Sequence, residues 1–321
     1  CDSCLADVPA TLPGVIETAR EVLANAQTPL LLHAELPPAD TEASEPIDTL
    51  SKLAAQRAGW EARAVAALID LARKTGCATH IVHVAAADAA RQIEVAKSEG
   101  VPVSAETCPH YLTFCLEDID DRDPRYKCMP PIHDQANREQ LWGAVARNVV
   151  DTVGSDHSPC PPAMKEKPLA EAWGGIASLE LTLPALWTGL HRRNLPLEWT
   201  ARLLADHPAR LVGLARRKGQ IAPGHDADFC IWDPDETWSV VGDALYQRSP
   251  LTPYAGMSLR GRVHQTYLRG ELIFDRGELP GLPSGQLLSR APAATFRSRP
   301  PLSAGSANRI ARYFNELDDH T

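Results

Sequence analysis

Four side chains suited to metal chemistry recur at matching places along the chain: His33 in TPLLLHAEL, His83 in THIVHVA, His110 in SAETCPHYLTF and Asp156 in VVDTVGSDHSPCPP. Each closes a short apolar run. Imidazole and carboxylate together form a ligand set that zinc accepts, and zinc-bound water loses its proton near neutral pH. An ionised carboxylate at the end of a buried segment, as expected for Asp156, is costly unless a cation, a partner charge or several hydrogen bonds compensate it. A metal ion would do so. Taken singly, each residue also has a plainer role, as a hydrogen-bonded strand-end histidine or an aspartate closing its own turn. His80 lies at odd spacing from His83, on the opposite strand face, and is expected not to be a ligand. His191, His207, His225, His264 and His320 are expected at the surface or in turns.

Regular elements must bring such residues together. Residues 13–27 carry an amphipathic helical pattern, and residues 28–36 form an apolar run of strand length. Helical spacing follows over 59–76 with a glycine stop at Gly76, then a second run over 78–85 and a helix over 86–98. A third run covers 101–114, a helix lies near 136–148, and VVDTVGSDH is the fourth strand. Strands separated by helices of this length predict right-handed βαβ units and a parallel sheet, hence an α/β fold. In such folds, side chains at the C-terminal ends of the strands converge on one face. From about residue 219 the pattern changes to glycine-rich turns and short alternating segments, which predict antiparallel strands through residue 280. Residues 281–304 are rich in Pro, Ser, Ala and Gly and predict a linker, with a possible helix over 306–320.

Composition excludes several classes of partner. A net charge of −9 without a basic stripe argues against a nucleic-acid surface. The apolar runs are too short to span a bilayer, and a cytoplasmic protein is expected. Eight cysteines are scattered; Cys1 and Cys4 form a lone C-x-x-C pair with no second pair to complete a structural zinc site.

The segments LLLHAE, THIVHVA, SAETCPHYLTF, KCMPPIHDQANREQLW, VGSDHSPCPPAMK and WGGIASLELTLPALWTGL occur in one order. Together they resemble the cyclic amidohydrolases of the amidohydrolase superfamily, and within them the allantoinase family. The resemblance implies the second half of a distorted TIM-type (β/α)₈ barrel over residues 1–218, with a small β-sandwich segment over 219–280 and residues 281–321 as a linker and possible further helix. It implies two divalent metal ions, zinc first, with cobalt or manganese as alternatives. His33 and His83 resemble ligands of one ion. Asp156 resembles the carboxylate that binds the other and shuttles the proton. His110 matches no ligand position and is expected to be structural or pocket-lining. Main-chain groups at Met129 and Gly174 resemble those that hold the substrate's ring amide, although Gly174 and Gly175 also fit a plain turn.

The implied reaction is hydrolysis of a cyclic amide, allantoin to allantoate, with a small cyclic ureide as substrate and a homo-oligomer, a tetramer by resemblance, as the assembly. Hydantoinase, dihydropyrimidinase or dihydroorotase activity is the alternative, and a non-catalytic scaffold of the same fold is another. Two features depart from the pattern. An H-x-H pair and a carboxylated bridging lysine are absent from residues 1–321, and CDSC resembles the segment just after that lysine. The N-terminal half of the barrel is therefore expected ahead of Cys1, and the chain by itself is expected to be inactive. His133 stands where related enzymes commonly carry arginine.

Overall fold

Helical and apolar segments alternate in the folded chain much as the periodicity demands. The computed structural model describes residues 29–38 and 46–288. They divide into two compact units, one of residues 29–38, 46–122 and 130–151, the other of residues 123–129 and 152–288. The expected helices over 13–27 and 306–320, the Cys1 and Cys4 pair, His320 and most of the 281–304 linker lie outside the described residues.

In the first unit, strands β1 (Leu30–Leu32), β2 (Thr79–Ile81) and β3 (Val103–Thr107) pair in parallel with β2 in the middle. Leu32 stands opposite Ile81, and Ile81 opposite Ala105. Helices α1 (Leu50–Gln56), α2 (Trp60–Thr75) and α3 (Ala87–Ser98) connect the strands, and α4 (Pro109–Thr113) and α5 (Gln135–Ala146) follow them. Helix α2 buries Ala64, Val65, Leu68, Ile69 and Ala72, a spacing that lays one apolar stripe against the core. Gly76, at φ 69°, ends α2 in the left-handed conformation that glycine adopts at little cost. Helix α3 packs against both α2 and α5. Ile81, Ile93 and Leu141 are fully enclosed, each stabilising the unit by roughly 1.5–3 kcal/mol relative to exposure.

The strands are shorter than the apolar runs. The run over 101–114 breaks at Pro109, which occupies the first turn of α4, where a missing N–H costs nothing. His110 consequently sits in a helical turn and not at a strand end.

The buried carboxylate of VVDTVGSD is Asp151, and Asp156 is exposed. Asp151 is compensated by the protein itself. Lys97 Nζ donates to its Oδ2 at 2.5 Å and to the Val149 carbonyl at 2.6 Å, and Ala105 N donates to the same Oδ2 at 2.8 Å. Removing one partner of such an enclosed pair strands the other charge, which costs about 3–5 kcal/mol.

The second unit holds a 3-10 turn at Pro124–Tyr126 and, after the chain returns to it, β4 (Thr152–Val153). It continues with α6 (Thr182–Arg192), α7 (Glu198–Ala201), a π-helical turn at Arg202–Asp206 and α8 (His207–Leu211). His207, expected at the surface, is buried at the start of α8. Strands β5 (Phe229–Ser239), β6 (Ser258–Leu268) and β7 (Glu271–Asp275) form an antiparallel sheet in that order. Pro234 cannot donate to a ladder; it sits where the β5–β6 register shifts, and its carbonyl accepts from Trp187 Nε1 of α6 at 2.8 Å. Among the described residues, no helix is long and apolar enough to cross a membrane.

Candidate metal centre

Adjacent parallel strands in register deliver their following residues to the same sheet end, and β1 and β2 do this for His33 and His83. His33 follows β1 directly, and Val82 N donates to the Leu32 carbonyl at 3.2 Å, which carries the pairing up to His83. The imidazoles meet edge to face with centroids 4.7 Å apart, and His33 Nδ1 lies 3.0 Å from His83 Nε2.

The proton positions follow from a third group. His33 Nε2–H donates to Glu35 Oε2 at 3.0 Å, and Arg57 donates to the same oxygen at 2.9 Å. Burial tends to raise the Glu35 pKa, but the bond from His33 and the Arg57 charge hold it below the usual carboxylate value. With a proton on Nε2 for Glu35, His33 directs Nδ1 toward His83. His83 is buried, and burial first, then the His33 ring, lowers its pKa to about 4. It is therefore a neutral imidazole at physiological pH, the form that ligates metals.

These residues fit a divalent ion. Two nitrogens 3.0 Å apart can share one ion at bond lengths of about 2.0–2.1 Å, and a carboxylate behind a ligating imidazole is the usual means of fixing its tautomer. His83 has no such carboxylate behind it among the described residues, and its ring orientation is set by burial.

The loop after His83 is braced from a distance. Helix α3 has no side-chain cap of its own, because Ala86 stands at its N-cap. Glu61 of α2 accepts instead from Ala85 N at 3.0 Å and from Ala86 N at 2.9 Å. Asn137 of α5 accepts from Ala87 N at 2.7 Å and donates to the Ala85 carbonyl at 2.8 Å. Burial pushes the Glu61 pKa up to about 8 against the pull of its backbone donors. Neither Glu61 nor Asn137 stands out in the sequence, whereas Glu35 is signalled by its place in LLLHAE.

His80 faces the interior, with Nδ1 2.8 Å from Ser104 Oγ. His110 is fully buried with both ring nitrogens unpartnered among the described residues, and burial lowers its pKa to about 3. Burial also lowers the pKa of His133.

Asp156, Met129 and Gly174 belong to the second unit. Asp156 has φ 45° and His83 φ 42°, left-handed conformations that cost a non-glycine residue about 1–2 kcal/mol and that cluster at functional sites. The turn after Asp156 is laced to residues 176–179: Ser158 N donates to the Ile176 carbonyl at 3.0 Å, and His157 Nδ1 accepts from Ser178 N at 3.1 Å and Leu179 N at 3.0 Å. Met129 and Gly174 are brought together, and a Cβ placed on Gly174 would meet Met129 Cγ at 3.6 Å, an ordinary contact. The demand for glycine falls on the next residue, since a Cβ on Gly175 would strike Ser158 at 2.5 Å.

One further ligand group occurs among the described residues, with donor atoms of Asp233, Glu236 and His264 within 4.8 Å of one another. Arg262 already engages Glu236, so the protein supplies a cationic partner there itself, and His264 Nε2 lies 3.1 Å from the same carboxylate.

Comparison with known proteins places this geometry among relatives. The sequence profile of the amidohydrolase family matches residues 7–273. An allantoinase of Streptomyces avermitilis is 45% identical over 240 residues, covering 75% of this chain and 54% of the relative. An allantoinase of Arabidopsis thaliana is 36% identical over 295 residues, covering 87% of this chain and 58% of the relative. The chain thus spans about half the length of the curated relatives it matches. A solved structure of D-hydantoinase superposes with a TM-score of 0.77 at 27% identity, covering 86% of this chain and 64% of the other.

Proposed function

This chain belongs to the amidohydrolase family, and from that premise we propose that it takes part in opening a cyclic amide, the ring of allantoin, to give allantoate. The observation that carries the proposal is the pair His33 Nδ1 and His83 Nε2, 3.0 Å apart with the His33 tautomer fixed by Glu35. The resemblance to allantoinases, at up to 45% identity among those compared, supports allantoin as the ring.

His33 and His83 would hold one divalent ion, zinc in the first instance, with Asp156 as a ligand of a second. A metal so held supplies Lewis-acid polarisation of a carbonyl and lowers the pKa of water. Further ligands, an H-x-H pair and a carboxylated lysine, would come from outside residues 1–321, and a homo-oligomer is the proposed assembly. In the reaction, the oxygen of water bonds to a ring carbonyl carbon and the adjacent C–N bond breaks. The Asp156 carboxylate takes the proton from the attacking water and returns it to the departing ring nitrogen, a transfer that needs a carboxylate within hydrogen-bond reach. Main-chain groups of Met129 and Gly174 would hold the ring amide in place.

The test is ring opening by a full-length protein that contains residues 1–321, supplied with zinc, cobalt or manganese. Allantoin should exceed hydantoin, dihydrouracil and dihydroorotate in kcat/KM by about tenfold or more, at least the low end of what a pocket achieves between close analogues. A preference for hydantoin or dihydrouracil would replace the proposal with the hydantoinase alternative, and no turnover of any ring would leave the scaffold.

A further inference from the structure

Two lysines of the second unit are as buried as its core, Lys127 and Lys165 each at 6% exposure. Burying an ammonium is expensive unless its donors are used, and here main-chain carbonyls receive them. Lys127 Nζ donates to the carbonyls of Leu169 at 2.7 Å, Ala170 at 3.0 Å and Ala172 at 2.7 Å. Lys165 Nζ donates in the other direction, to the carbonyls of Pro124 at 2.6 Å and Lys127 at 3.2 Å. Each segment thus sends an ammonium into the backbone of the other. The Lys127 carbonyl is the shared node, because it also accepts from Gly175 N at 2.9 Å. The segments end beside Met129 and Gly174, the two residues whose main chain is proposed to hold the substrate ring.

We infer that Lys127 and Lys165 form a reciprocal clasp that positions the main chain of Met129 and Gly174 for ring recognition, an inference that rests on the ring-opening role proposed above. Main-chain recognition cannot be tuned by a side chain at the contact, so its precision must come from whatever fixes the backbone. Buried charged donors suit that task. A charge-assisted bond is roughly twice as strong as a neutral one, and losing the Lys127 ammonium strips the buried Leu169 and Ala172 carbonyls of this donor. Both lysines act through the backbone and are positioning residues.

The experiment uses the full-length, metal-loaded protein and its Lys127→Met and Lys165→Met variants, read by steady-state kinetics and by hydrogen exchange at the Gly175 amide. Each variant should raise the KM for allantoin by about tenfold, the loss expected when a main-chain hydrogen bond to the ring is misplaced, while bound metal stays at the wild-type level and kcat falls far less. The Gly175 amide should exchange about tenfold faster, the change expected when its local opening becomes easier by about 1.4 kcal/mol. Faster exchange with an unchanged KM would overturn the positioning role, as would unchanged exchange. Should the methionine variants not fold, Lys127→Gln offers two N–H donors in place of three and no charge; it should still raise the KM by about tenfold, and an unchanged KM would refute the inference. Gly174→Ala separates the two levels of the argument, because its Cβ makes only ordinary contact. It should raise the KM without altering Gly175 exchange, and an unchanged KM would overturn the ring-contact assignment on which the clasp depends. A wild-type protein that opens no cyclic amide would refute the functional proposal itself, whatever the exchange data give.

Discussion

A histidine can ligate a metal through one ring nitrogen only when its proton sits on the other, and for His33 a carboxylate two residues away accepts from that other nitrogen. Glu35 accepts a hydrogen bond from His33 Nε2–H, and His33 Nδ1 is directed at His83. His33 and His83 are conspicuous in the sequence because they end consecutive apolar runs. Asp156 is conspicuous for a reason the structure corrects, since the enclosed carboxylate of that segment is Asp151, neutralised by Lys97. The role proposed for Asp156 rests instead on its resemblance to a known carboxylate position and on its left-handed backbone at φ 45°. It predicts a split between binding and turnover. Asp156→Asn should lower ring opening by about 10²–10⁴-fold, the usual contribution of a general acid or base, while bound metal falls much less. Full activity in that variant would exclude the proton transfer, and an equal loss of metal and activity would make Asp156 a ligand alone.

At the scale of elements, the decisive contact is remote from the chemistry. Helix α3 starts just after His83 with no cap of its own, and Glu61 and Asn137 supply one from two other helices. Glu61 also makes stability depend on pH. Its carboxyl has a pKa near 4.5 when unfolded and about 8 when folded. The stability gained by holding that proton is fully present below the unfolded pKa and is lost as pH rises through the folded one. In between, the loss is about 1.4 kcal/mol per pH unit. Glu61→Gln keeps an acceptor for the two amides but cannot ionise, so it should gain stability relative to wild type as pH rises from 5 to 8, measured by denaturant unfolding. Parallel pH slopes for the two proteins would contradict this. The elements themselves were largely legible: α2, α3 and α5 follow the helical periodicity, with Gly76 ending α2 as expected. The apolar runs overstate the strands because periodicity marks burial and not hydrogen bonding, and Pro109 turns SAETCPHYLTF from strand to helix partway. Bracing by Glu61 and Asn137 was not legible, since it joins residues far apart in sequence that carry no local pattern.

In the whole molecule, the residues proposed for the chemistry are distributed over both units. The imidazole pair and its braces belong to one, and Asp156, Met129 and Gly174 belong to the other. The amidohydrolase profile runs through both, from residue 7 to residue 273. A net charge of −9 suits neither nucleic acid nor an anionic surface and is compatible with a small uncharged ring as substrate. The parallel sheet with a separate antiparallel sheet was legible from the change of texture near residue 219, because periodicity and turn chemistry change together there. The central claim is that His33 and His83 jointly hold a catalytic metal ion. It is tested most directly by elemental analysis of bound divalent metal in the full-length protein and in its His33→Ala and His83→Ala variants, purified in parallel. The account predicts that both variants lose bound metal while remaining folded. Unchanged metal content in both would contradict it.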